Sequence, residues 1–165
     1  MKQVLSGLVA ASLVLSPIFA KAACFTDVEW RAAHVRVLQT DLLVAALECE
    51  NVAGYPYTAQ YNAFITKMSD SLGVEAKHLI AHFQRVSGSA WGQELDTYVT
   101  LLANDASDRS MRDAAFCIHS QAFFQAALAL EKPQLEQAAL GRVTDHSVIG
   151  DLCPGKPVET AARPK

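Results

Sequence analysis

The chain has no CxxC pair, which argues against a thiol oxidoreductase, and no CxxCH, which argues against covalently attached haem. No serine stands in a G-x-S-x-G elbow, and no glutamate stands in an H-E-x-x-H pattern to activate a metal-bound water. No run of Lys and Arg marks a nucleic-acid or anionic-membrane binder. Glycine and proline are sparse until the C-terminal stretch, and apolar residues recur at helical rather than alternating spacing. These absences argue against several enzyme classes, and the helical spacing points to an all-helical chain.

What is present begins with "MKQVLSGLVAASLVLSPIFAKAA". It has one early Lys, an apolar run from Val4 to Leu15, Pro17, and then Ala20 and Ala22 in an A-x-A pattern. This reads as a secretory signal over residues 1–22. No later apolar stretch is long enough to cross a bilayer. Removing the signal leaves 12 Lys and Arg against 17 Asp and Glu, a net charge of −5 scattered along the chain. Such a charge serves solubility rather than a particular partner. The expected organisation is a helical domain over 23–153, a disordered tail over 154–165, and a bacterial location in the periplasm or outside the cell.

The helical domain opens at "TDVE", where Thr26 and Glu29 form a capping box, and the first helix runs to about Asn51. Its middle is apolar nearly all round, which places it inside the fold. "NVAGYPY" breaks the chain before a second helix with the stripe Tyr61, Phe64, Ile65, Met68 and Leu72. Gly73 ends or bends that helix, and "VEAKHLIAHFQRV" follows as a separate segment. A third helix begins near Ser89, and a fourth begins near Ser110 with an apolar circumference that makes it a second central candidate. A short fifth starts at Pro133 and stops at Gly141. The expected architecture is an irregular antiparallel bundle of five or six helices stapled by two disulfides.

Four cysteines follow the signal: Cys24, Cys49, Cys117 and Cys153. An even number in an exported chain points to two disulfides. Cys24 and Cys49 flank the first helix, whose rise sets them roughly 37 Å apart. A disulfide needs Cα atoms within about 7 Å, so these two cannot pair. Two pairings remain. Cys49–Cys117 with Cys24–Cys153 is preferred over Cys24–Cys117 with Cys49–Cys153, because it ties the two most apolar helices together and staples the ends of the domain.

The candidate chemistry centres on "KHLIAHF". Glu75, His78 and His82 fall on one side of a helix, an E-x-x-H-x-x-x-H triplet that would suit zinc or copper if a fourth ligand came from water or from His34, His119 or His146. The simpler reading makes the two histidines a boundary strip beside Leu79 and Phe83. "FCIHS" invites comparison with exported all-helical phospholipases, but Ser120 stands where their Asp follows the histidine, and no glycine-rich calcium loop is present. Asp105, Asp108 and Asp113 lack the order and central Gly of a calcium loop and are read as helix caps. The expectation is therefore a binding protein, not an enzyme, with no cofactor required and another envelope protein as partner. The alternatives are a divalent-metal binder using Glu75, His78 and His82, and a hydrolase of unrecognised type.

Overall fold

The computed structural model describes residues 23–52, 54–142 and 148–154 of the 165-residue chain. The expected signal and all but the first residue of the expected tail lie outside the described residues, as does His146. Among the described residues the fold is all-helical, without strands. Four longer helices carry it: α1 (Asp27–Glu48), α2 (Tyr57–Ser87), α3 (Trp91–Arg112) and α4 (Phe116–Ala129), followed by the eight-residue α5 (Leu135–Arg142).

The capping box at the start of α1 forms. The Glu29 amide donates to the Thr26 hydroxyl, and the Thr26 amide donates to the Glu29 carboxylate at 2.8 Å. From there α1 buries consecutive residues, Ala32 through Leu38 with only Arg36 partly exposed, because other helices surround it on every side. A helix apolar all round is stable only where it is wrapped all round. Glu29 lies beside His82 and Arg85, so α2 runs antiparallel to α1. Phe25 meets Tyr98 at one end of α3 and Glu48 meets Ser107 near the other, so α3 runs parallel to α1. The Tyr57 hydroxyl donates to the Cys117 carbonyl and Lys67 reaches the Leu128 carbonyl, so α4 runs beside α2 in the same direction.

Two apolar clusters share α1 as their common wall. One gathers Leu38, Leu42, Phe64, Met68 and Phe124 around Cys49 and Tyr57. The other gathers Val37, Leu79, Phe83 and Leu102 with Phe25 and Ile149. Each disulfide closes one end of the fold. Cys49–Cys117 has its Cα atoms 5.6 Å apart, and Cys24–Cys153 has them 4.9 Å apart. In the chain-entropy model each closure stabilises by about 3–5 kcal/mol. Beside Cys24, the Phe25 amide donates to the Asp151 carbonyl and the Cys153 amide donates to the Phe25 carbonyl, tying the two chain segments together.

Three expectations are corrected. Gly73 does not end α2, which is one 31-residue helix. A helical glycine costs about 1 kcal/mol against alanine. That cost is outweighed because Phe64, Met68, Leu72, Leu79 and Phe83 keep one phase across it and pack toward α1. This merger makes the count of long helices four. The fourth helix does not start near Ser110 but at Phe116, and Asp105 and Asp108 are not caps: residues 104–112 are the last turns of α3, where Arg109 bonds Asp105 four residues earlier at 2.9 Å. Only Asp113 caps, accepting from the Ala115 amide at 3.0 Å. Finally, α4 is not central. It buries only Ser120, Phe124 and Ala127, because α1 already occupies the middle and α4 packs mainly on α1 and α2.

Candidate functional site

The structure divides the Glu75, His78 and His82 triplet. Glu75 is buried where α2 crosses α1, and its Oε2 lies 3.4 Å from the half-exposed His78 Nδ1. Burial pushes the Glu75 carboxyl above its ordinary value, with His78 opposing the shift. His82, one turn further on, is only 3 % exposed and turns toward α1. It is therefore an interior residue and not part of a surface strip. Among the described residues no group of three or more His, Cys, Asp or Glu side chains could hold a metal ion. His34, a candidate fourth ligand, is fully buried with Nδ1 2.8 Å from the Trp30 carbonyl one turn back.

His82 belongs instead to a polar knot between α1, α2 and the segment before α1. Arg85 grips Glu29 with two donors, Nε to Oε1 at 3.1 Å and Nη2 to Oε2 at 2.5 Å, and also donates to the Cys24 carbonyl at 3.0 Å. The His82 Nδ1 lies 3.3 Å from Glu29 Oε2 and 3.2 Å from Arg85 Nη2. A neutral imidazole can serve either neighbour, whereas a protonated one sets its charge against the guanidinium. The Phe25 ring stacks on His82, with centroids 3.7 Å apart and planes 4° from parallel. Burial pushes the Glu29 carboxyl up, but donors from Arg85, the Thr26 amide, His82 and the Thr26 hydroxyl prevail and hold it at about 2. Burial also lowers the His82 value, against the pull of Glu29. A buried arrangement of mutually bonded groups of this kind fixes how the segment before α1 joins the bundle.

His119 acquires an acidic partner that its own sequence neighbours do not supply. Its Nδ1 lies 2.7 Å from Asp113 Oδ2 across the first turn of α4. A His and Asp pair orients an imidazole for proton transfer, but a nucleophile must be within its reach. Among the described residues no hydroxyl is bonded to His119. Ser120 is buried, and Ser110 donates to the Ser107 carbonyl at 2.7 Å. The pair is exposed on both sides and caps the turn between α3 and α4.

The largest departure from ordinary burial lies at the end of the fold closed by Cys49–Cys117. Val52, after α1, Met111 near the end of α3 and Ile118 in the first turn of α4 line one open hollow of about 360 Å³. Met111 is 74 % exposed and Ile118 is 67 % exposed. Leu47, also on this end of α1, is 62 % exposed. Glu48 and Asp113 stand among the lining residues, so the apolar hollow has a carboxylate rim. No sequence motif marks this surface, because it joins the end of α1 to the turn between α3 and α4, a distant stretch of the chain. The only local sign is that Ile118 interrupts the polar face that a peripheral α4 should have.

No family model, no curated protein and no solved structure matches this chain.

Proposed function

We propose that this chain is an exported protein of the bacterial envelope, periplasmic or released, that works by binding another envelope protein rather than by catalysis. The observation that carries the reading is the apolar hollow formed by Val52, Met111 and Ile118 at the Cys49–Cys117 end. Single exposed apolar side chains are ordinary, but several around one concavity with a polar rim characterise protein contact sites. The rim carboxylates Glu48 and Asp113 favour a partner segment that is apolar in its middle and flanked by Lys or Arg. Two disulfides suit an oxidising compartment, and no described helix is long and apolar enough to cross a membrane.

The test replaces Met111 and Ile118 with Asp. Both are exposed, so the helices and disulfides should survive, as circular dichroism and thiol titration would verify. A photo-crosslinking residue at position 52 would then report contact with a partner in envelope extracts. A specific crosslinked product that disappears in the double variant supports the reading. A product pattern unchanged by the two substitutions, or no product beyond background, refutes it.

A further inference from the structure

A second concavity runs between α4 and α5 and shares no residue with the hollow just described. These helices form an antiparallel hairpin, since Leu130 leads through the turn at Lys132–Gln134 into α5 while Arg142, at the far end, lies over the Phe123 ring 3.9 Å from its centroid. The groove encloses about 380 Å³, within the range of small-molecule sites. Its floor is Leu38 of α1, and its walls include Ala122, Ala126 and Ala138, whose short side chains leave the space open. From His119 to Leu130 the α4 wall is about 16 Å long, by helical rise.

The groove is chemically lopsided. Leu130 closes one end, and the two groups at the other end are His119 and Arg142. Among the described residues no carboxylate lies within ion-pair distance of Arg142. The nearby Asp41 is already engaged by Arg109 at 2.7 and 3.3 Å. A guanidinium with no carboxylate partner among the described residues, at the mouth of an apolar trough, complements a ligand with one anionic end and one hydrocarbon chain.

We propose that this groove binds a single-chain amphiphile with an anionic head, the head at Arg142 and the chain lying over Ala122, Phe123 and Ala126 toward Leu130. A carboxylate or a phosphate head fits a guanidinium equally, in two parallel hydrogen bonds. The stacked Phe123 holds the guanidinium in place before the ligand arrives, reducing the ordering cost of binding.

The experiment is calorimetric titration of the oxidised protein with decanoate, decyl phosphate, decanol and decyltrimethylammonium, each below its micelle concentration. The two anions should bind, the better one identifying the head, with the cation weaker by roughly tenfold or more. Arg142→Gln should weaken the anions by a similar factor and leave decanol unchanged. Ala126→Trp, at an exposed position, should abolish binding of all of them with the helical spectrum intact. Equal affinity for anion and cation, or Ala126→Trp binding as well as the parent, overturns the proposal. So does a dimer that Ala126→Trp dissociates while no amphiphile binds, which would make a second copy the occupant.

Discussion

Removing the charge of Glu29 tests whether the buried knot at the N-terminal end of the bundle holds the fold. The carboxylate has a folded-state value near 2 against 4.5 for a free glutamate, a gap of about 2.5 units. At 1.36 kcal/mol per unit, that gap is about 3 kcal/mol of stability. The sign follows from the direction. A depressed value means the contribution is complete above pH 4.5 and drains away as the pH falls toward 2. Glu29→Gln keeps the side chain length and the reach to the Thr26 amide but leaves Arg85 without its anion. The variant should therefore lose about 2–3 kcal/mol at pH 7, or roughly 10 °C in Tm for a domain of this size. Below pH 4.5 the two proteins should converge, becoming nearly equal at pH 2. His82 adds a drain in the same direction but earlier, because its lowered value makes the unfolded chain the better proton acceptor below 6.5. Urea unfolding followed by far-UV circular dichroism from pH 7 to 2, with both disulfides intact, measures this directly. Parallel stability profiles for the parent and Glu29→Gln would refute the assignment, since the acid sensitivity would then belong to other carboxylates.

Glu75 should behave in the opposite way. Burial raises its value, so its contribution is full below 4.5 and is lost as the pH rises through the folded value. Glu75→Gln should be neutral or stabilising by up to about 1 kcal/mol at pH 7, and a clear loss in urea unfolding would mean that the contact with His78 outweighs burial. Gly150 has φ +99, and an added Cβ would stand 3.0 Å from the Phe25 ring that covers His82. Gly150→Ala should cost about 1–3 kcal/mol. Gly54→Ala is the control, because Gly54 has φ +92 but nothing within 4 Å; equal losses in the two variants would show that Phe25 contributes nothing.

Local features of the sequence determine the outline of the fold. The Thr26 and Glu29 capping box involves neighbours three residues apart, so it is legible without knowing anything else. The interior place of α1 follows from an apolar surface too wide for one contact. The continuous phase from Phe64 through Phe83 carries more information than the single glycine inside it, and a reading that weights Gly73 breaks a helix that packing keeps whole. The rise of α1 alone forbids a bond between Cys24 and Cys49.

What sets the candidate sites apart depends on contacts between distant segments. The Glu29 side chain serves its own helix cap and also Arg85, 56 residues away, and only the crossing of α1 and α2 joins the two roles. His82 and His78 look equivalent on a helical wheel, yet Phe25 covers one and leaves the other half-exposed. The apolar circumference of α4 reads as a central helix, and it becomes a surface with an exposed Ile118 because α1 already fills the centre. Helical spacing thus determined which faces are apolar, by short-range periodicity. Which of those faces stayed uncovered was decided by the competition among helices for one core, which only the tertiary structure resolves.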